Sequence, residues 1–184
     1  MNTKSQMTRR NIQTDDRTIQ LVSFLLGGEL YGVPITQVRE IILVGTISRL
    51  PRAPNYLQGV INLRKNVIPV IDLRTLLGLP AAEISADSRI LVVQVSDRLV
   101  GILVDAVCEV LRIQKQQISP PPTLVGFENQ FLTGIAELDG RLLTLIDFQK
   151  ILGETQTDAL LPTSVSSEPI EETEQGVPEE VISR

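Results

Sequence analysis

Few side chains in this sequence could carry out chemistry. Histidine is absent from all 184 residues, which excludes Ser–His–Asp triads, Cys–His pairs and histidine metal sites. The single cysteine, Cys108, excludes an internal disulfide, and its apolar surroundings favour a small buried side chain over a nucleophile. The pair Gly27-Gly28 lacks the lysine and the spacing of a phosphate-binding loop, so we interpret it as a turn.

Paired carboxylates are the remaining route to an enzyme, because general acid–base chemistry often uses two of them. Asp72 and Asp147 have the most defined positions, and each precedes a short segment with helical spacing of apolar residues. A carboxylate there accepts hydrogen bonds from free backbone N–H groups. We therefore interpret both as helix caps. No group of acids has the spacing of a calcium loop, and the sequence predicts no active site, metal or cofactor.

The negative charge of the chain is concentrated at one end. Residues 154–184 carry eight acids and one base, whereas residues 19–153 carry 12 acids and 12 bases. A neutral body, in a chain with only 3% aromatic residues, argues against a nucleic-acid partner. The acidic tail 154–184 and the polar segment 1–17 have no apolar periodicity, and we expect both to be disordered.

The apolar runs of the chain are short. Ile90–Val93 is typical of the longest ones, far below the roughly 20 residues that a membrane span needs. The N-terminal residues contain no apolar signal segment. We expect a cytoplasmic protein without direct membrane insertion.

The segment 56–78 is the unit from which the chain is built. Two β-branched or apolar runs, Val60–Leu63 and Val67–Ile71, flank charged and turn-forming residues, which predicts a tight hairpin. Asn66 tolerates the left-handed backbone that such a turn needs. Asp72 then caps a short helix that a glycine ends.

The same unit occurs a second time in the chain. At an offset of 75 residues, Tyr56 coincides with Phe131, Gly59 with Gly134, Leu63 with Leu138, Ile71 with Ile146, Asp72 with Asp147 and Gly78 with Gly153. At an offset of 69, Leu30, Gly32, Val38 and Glu40 coincide with Leu99, Gly101, Val107 and Glu109. Two copies of about five strands and one short helix predict a mainly β protein of two small barrels. We place the copies at about 18–80 and 88–153, within one domain of 18–153.

Arg64 differs between the two copies. Its counterpart is Asp139, so the fold does not require a cation at this position. Two interpretations stay open: a solvated turn residue, or an arginine held for a carboxylate or a partner surface. Glu40 is a candidate ion-pair partner, and its match at Glu109 indicates that part of its role is structural.

Six segments of the chain form a collinear set. They are Tyr31-Gly32, Val38-Arg39-Glu40-Ile41, Gly59-Val60-Ile61-Asn62-Leu63-Arg64, Pro69-Val70-Ile71-Asp72-Leu73-Arg74, Val100-Gly101-Ile102-Leu103-Val104-Asp105 and Phe131-Leu132-Thr133-Gly134. Together they resemble the chemotaxis coupling protein family, CheW, over about residues 17–153. The resemblance implies two pseudo-symmetric SH3-like five-stranded barrels. It also implies a non-enzymatic adaptor that couples chemoreceptor cytoplasmic tips to a CheA-type histidine kinase, in chemotaxis or surface motility, near membrane receptor arrays.

The resemblance also implies a partner-binding site. Its predicted residues are Val38, Glu40, Ile41, Asn62, Arg64 and Lys65. Val38 and Ile41 are expected to meet the regulatory domain of the kinase, and Glu40, Asn62 and Arg64 to lie around the receptor and kinase contact region. Lys65 joins the set because the two copies differ at this hairpin end. Lys65 stands where the family has glycine, which either moves the need for a positive φ toward Asn66 or changes the turn. Near Ser119 and Leu124, where the family has a second kinase contact, this chain offers neither a charge nor an aromatic ring.

Three other functions stay open at this point. The chain could regulate a kinase alone, without a receptor. A small nucleic-acid-binding double barrel needs basic, aromatic strands, which this body lacks. An enzyme with a carboxylate site needs a close acid pair in a deep pocket, and the sequence gives no sign of one.

Overall fold

The computed structural model describes residues 17–95, 97–122 and 131–154. Within them the chain forms eleven strands and two short helices. The strands are β1 (Thr18–Leu26), β2 (Glu29–Pro34), β3 (Val38–Leu43), β4 (Leu57–Leu63), β5 (Asn66–Asp72), β6 (Arg89–Val95), β7 (Arg98–Val104), β8 (Ala106–Gln114), β9 (Ile118–Ser119), β10 (Leu132–Leu138) and β11 (Arg141–Ile146), and the helices are α1 (Leu73–Leu76) and α2 (Phe148–Glu154). The expected disorder at both ends concerns residues outside the described ranges, and so does Leu124.

The strands form two sheets, which confirms the predicted mainly β fold of two pseudo-symmetric barrels. The six-stranded sheet has the order β8-β1-β2-β11-β10-β9, and the five-stranded sheet has the order β3-β6-β7-β5-β4. Each sheet curls until its ends meet. Ser48, downstream of β3, exchanges two backbone hydrogen bonds of 2.9 Å with Val60 in β4. In the other sheet β9, which follows β8, pairs with β10.

The two sequence copies exchange their first hairpins. Hairpin β1–β2 of the first copy lies in the sheet of the second copy, where β2 pairs in parallel with β11. Hairpin β6–β7 of the second copy lies in the sheet of the first, where β7 pairs in parallel with β5. Each barrel therefore contains strands from both sequence copies and not from one copy alone, because non-local pairing decides which strands share a sheet.

The proposed boundaries, one domain of 18–153 with repeats 18–80 and 88–153, stay a prediction.

Three apolar clusters fill the molecule. One cluster lies inside the five-stranded barrel and another inside the six-stranded barrel. The third and largest joins the two sheets and contains both helices. Strand β6 shows how the sequence serves two clusters at once: Ile90 and Val92 face the barrel interior, while Leu91 and Val93 face the central cluster. This alternation makes β6 apolar on both faces, as expected for a strand buried on both sides.

The helix caps follow the sequence prediction. The Asp72 carboxylate accepts hydrogen bonds from the backbone N–H of Arg74 at 3.0 Å and from the Thr75 hydroxyl at 2.8 Å. Asp147 accepts from the backbone N–H of Gln149 at 2.8 Å. One detail differs, because α2 continues through Gly153 to residue 154 instead of ending at the glycine.

The recurring glycine at Gly59 and Gly134 has a steric cause. A Cβ on Gly59 would lie 2.3 Å from the Ser48 carbonyl oxygen, and φ at Gly59 is +147°. A Cβ on Gly134 would lie 2.3 Å from the Ile118 side chain. Because neither glycine has a Cβ, the segment that closes each barrel can pack directly against its backbone.

We predict that Gly59→Ala lowers the free energy of unfolding by at least about 2 kcal/mol, since it adds both a backbone clash and an unfavourable φ. Urea denaturation followed by circular dichroism measures this. Gly45→Ala is the matched control, because nothing lies within 4 Å of a Cβ there. Equal stability of the two variants would contradict the steric explanation.

A charged contact joins α1 to the exchanged strands. Arg74 donates from Nε to Asp105 Oδ1 at 2.6 Å and from Nη2 to Oδ2 at 2.5 Å. The backbone N–H of Gly27 donates to the same carboxylate at 2.7 Å. Burial alone would raise the pKa of Asp105, but the hydrogen bonds from Arg74 and Gly27 and the Arg74 charge together lower it. The carboxylate ties the β1–β2 turn to the first copy's helix.

Acid should weaken this contact. Because the pKa of Asp105 is lowered in the folded state, its ionised form stabilises the fold above the ordinary aspartate pKa of about 3.9. That stabilisation is lost as the pH falls below this value and through the folded pKa. We expect the unfolding free energy of the wild type to fall more steeply with acid than that of Asp105→Asn, in denaturation series between pH 6 and pH 2. Parallel curves would contradict this role.

Candidate partner-binding site

The tip of the β4–β5 hairpin is a two-residue turn made by Arg64 and Lys65. Their φ values are +51° and +71°, the left-handed backbone of a type I′ turn. The side chain of Asn62 accepts a hydrogen bond from the backbone N–H of Lys65 at 3.0 Å and so holds the turn. The prediction of a left-handed residue at Asn66 is wrong, because Asn66 already pairs with Leu63 as the first residue of β5.

Arg64 and Glu40 form the ion pair that the sequence suggested. Arg64 Nη2 lies 2.9 Å from Glu40 Oε2. The arginine side chain is 78% exposed and the glutamate side chain 28% exposed. Strands β3 and β4 are opposite edges of the five-stranded sheet, so this pair crosses the seam where the barrel closes.

Strand β3 exposes every second residue at this seam. Arg39, Ile41 and Leu43 are exposed, with Ile41 at 42% and Leu43 at 69%. A bulge lies between Val38 and Glu40, and Arg39 donates a hydrogen bond to the Gln94 side chain of β6. Val38 is only half-buried and packs against the central cluster. It therefore belongs to the core as well as to the predicted site.

These residues together form one surface, which we call the seam face. It comprises the exposed residues of β3, of β4 and of the β4–β5 turn with the start of β5: Arg39, Ile41, Leu43, Asn62, Arg64, Lys65 and Val67, together with Glu40. Five of the six predicted residues lie on it, and Val38 lies beneath its edge. Leu43 and Val67, the latter 68% exposed, were missed by the sequence analysis.

The second copy has an equivalent surface, which we call the counterpart face. At offsets of 69 and 75 residues its members are Cys108, Glu109, Val110, Arg112, Glu137, Asp139, Gly140 and Leu142. Two of the three apolar positions recur and are exposed in both copies, since Val110 (matching Ile41) is 54% and Leu142 (matching Val67) 61% exposed, whereas Arg112 replaces Leu43. The sequence repeat makes Val67 and Leu142 equivalent, but only the structure shows that both are exposed.

Charge separates the two faces. The seam face has three cations and one carboxylate, whereas the counterpart face has one cation and three carboxylates. The prediction that Cys108 is buried is wrong: it is exposed at the position equivalent to Arg39, on the outer side of the edge strand β8. Ser119 lies in β9, and the expectation that this chain lacks the groups for the family's second kinase contact stays a prediction.

Asp72 and Asp147 each cap their own helix. In the ranges the structure describes, no cluster of three or more potential metal-ligating side chains occurs. Nor does any helix in those ranges have the length and apolarity to cross a bilayer.

Comparison with known proteins identifies the family. The CheW-like domain matches residues 20–156. This chain belongs to the CheW family. It is 37% identical over 151 residues to the probable chemotaxis protein CheW of Rhizobium etli, covering 82% of this chain and 96% of the relative. It is 31% identical to the protein FrzA of Myxococcus xanthus, covering 70% and 82%.

A solved CheW structure has the same fold. The scaffolding protein TtCheW of Thermoanaerobacter tengcongensis superposes with a TM-score of 0.67 at 36% identity, covering 73% of this chain and 92% of that one. Proteins of the CheW family are coupling scaffolds that link chemoreceptors to CheA in chemotaxis. The chain is therefore an adaptor of chemosensory signalling, as the sequence predicted.

The Lys65 turn stores strain at the site. Lysine at φ +71° occupies a backbone region that favours glycine, and Gly140 fills the same position in the second copy. We predict that Lys65→Gly raises the unfolding free energy by about 1 kcal/mol.

The reciprocal change Gly140→Lys is the matched control, and it should lower the unfolding free energy by a similar amount. Both are measured by urea denaturation. If Lys65→Gly leaves the stability unchanged while Gly140→Lys lowers it, the first turn carries no strain.

Proposed function

We propose that the seam face is the surface through which this CheW-family adaptor binds the regulatory domain of a CheA-type kinase and a chemoreceptor tip. The observation that carries the proposal is the exposed Glu40–Arg64 ion pair beside the exposed side chains of Ile41 and Leu43. A contact of this kind combines an apolar centre with a polar rim. The chain itself is proposed to catalyse no reaction.

The apolar part of the seam face suits the kinase. Ile41 and Leu43 stand exposed on an edge strand, where their burial by a partner would remove apolar surface from water. The half-buried Val38 supports this strand from the core side and would contribute where its edge is accessible. A small contact of this kind is specific when its centre is desolvated.

The polar part suits a receptor tip or the rim of the kinase contact. The Arg64 guanidinium offers donors in a fixed fork, and most of it faces solvent. Asn62 holds the turn that presents Arg64, and Lys65 adds a second cation beside it. Glu40 orients the guanidinium without burying it, so a carboxylate of a partner could share it.

An adaptor of this kind acts by the positions in which it holds its two partners. It holds receptor and kinase in a defined arrangement, and it biases a kinase equilibrium only by binding one kinase state more tightly than another. The two rigid barrels and their shared core suit this role, because the surface is fixed by strands. We infer that the adaptor works on the cytoplasmic side of receptor arrays and is held there by its partners.

We predict that Arg64→Ala weakens binding of the kinase regulatory domain or receptor tip by about tenfold or more, or about 1.4 kcal/mol. Because the ion pair is exposed, the unfolding free energy should change by less than about 1 kcal/mol. Isothermal titration calorimetry measures the affinity, and receptor-dependent kinase phosphorylation measures the coupling.

Asp139→Ala is the matched control. Asp139 occupies the same turn position in the second copy at φ +48°, so both variants lose one charge on the same backbone. Only Arg64→Ala should impair coupling. A loss of several kcal/mol of stability in Arg64→Ala, or equal impairment in both variants, would make Arg64 a structural residue.

A further inference from the structure

The family match ends at residue 156, and the sequence continues to residue 184. Within this extension, residues 168–180 contain six glutamates and no basic residue. Ile170 and Val177 lie among the glutamates. The segment therefore combines dense negative charge with two apolar side chains, which is complementary in kind to the cations and apolar side chains of the seam face.

The extension leaves the folded body close to that face. It follows α2, whose Gln149 donates a hydrogen bond to the Gln94 carbonyl oxygen at 2.6 Å. The side chain of the same Gln94 accepts a hydrogen bond from Arg39 of the seam face. From Gln149, the helix continues for five residues, or about 8 Å. Gln94 of β6 therefore contacts both α2 and the seam face, and the end of α2 lies within about 8 Å of that contact.

The intervening chain is long enough to reach the seam face. Thirteen residues, 155–167, separate the end of α2 from the acidic segment. Thirteen residues reach at most about 45 Å when fully extended. That reach is long enough for residues 168–180 to contact the seam face from the end of α2.

Charge distinguishes the seam face from the equivalent surface of the second copy. Arg39, Arg64 and Lys65 against Glu40 give the seam face a net charge of +2. The counterpart face has a net charge of −2, which the flanking Arg141 reduces to −1. Both present exposed apolar residues, so an acidic segment with apolar side chains is attracted to the first and repelled by the second.

We propose that residues 168–180 bind the seam face of their own chain and cover Ile41 and Leu43 until a partner displaces them. A tethered segment acts at an effective concentration of about 1 mM, so even a weak contact is populated. A segment bound half of the time weakens partner binding by about twofold. Only this last consequence rests on the proposed function.

Paramagnetic relaxation tests the contact in the full chain. A nitroxide is attached at Thr173→Cys in a Cys108→Ser background, and amide signals are compared with those of the reduced label. We expect the amides of Arg39, Ile41 and Lys65 to broaden at about 0.01 M salt and to recover at about 1 M, where the Debye length is about 3 Å. The equivalent amides of the counterpart face are the internal control and should stay sharp.

A second variant isolates the charge. Replacing the six glutamates of residues 168–180 by glutamine should abolish the broadening without changing the chain length. Broadening of both faces alike, of neither face, or of the seam face in the glutamine variant would overturn the proposal. Broadening that appears only between labelled and unlabelled molecules would assign the contact to a second copy and would also overturn it.

The affinity for the kinase domain separates the two proposals. With the six glutamines, binding should tighten by about twofold. Seam-face broadening in a chain that binds no kinase domain would refute the proposed function and leave the contact of the acidic segment standing. If the seam face broadens in the wild-type chain, but the glutamine variant binds the kinase domain with the same affinity as the wild type, the displacement step is overturned.

Discussion

Strand β2 lies parallel to β11, and β5 lies parallel to β7, and the rest of the molecule depends on these two pairings. Each joins a hairpin of one sequence copy to the strands of the other. Neither barrel can close without the exchange, because each would lack two of its strands. The large central cluster also draws residues from both copies, so the burial of apolar surface and the strand pairing reinforce each other. The position of the seam face is fixed by the same exchange, since β3 pairs with β6 of the other copy.

Local features of the fold could be predicted from the sequence because their causes are local. The caps at Asp72 and Asp147 and the two strands of the 56–78 hairpin follow from neighbouring residues. The hairpin exchange could not be predicted, because each hairpin carries an apolar pattern that fits either barrel. Asn66 misled the turn prediction for a related reason: its intrinsic tolerance of positive φ was weighed, but strand register placed Arg64 and Lys65 at the turn.

The candidate site was accessible to sequence reasoning where the two copies disagree. A comparison of Arg64 with Asp139, and of Lys65 with Gly140, shows that the fold does not require a cation at either turn position. Residues that both copies share escaped this comparison. Val67 and Leu142 read as core residues of a strand, and only their exposure identifies them as surface. Cys108 misled in the same way, because apolar neighbours along a strand do not determine which face is covered.

The hairpin exchange also constrains the order in which the chain can fold during synthesis. Leu30 in β2 pairs with Leu143 in β11, more than a hundred residues later. Until β11 has been made, one edge of the first hairpin has no partner strand from its final sheet. The β6–β7 hairpin, in contrast, finds β3, β4 and β5 already synthesised. The five-stranded barrel, which bears the seam face, can therefore be completed first. Until β11 has been synthesised, the β1–β2 hairpin keeps an unpaired strand edge that can form hydrogen bonds with other chains.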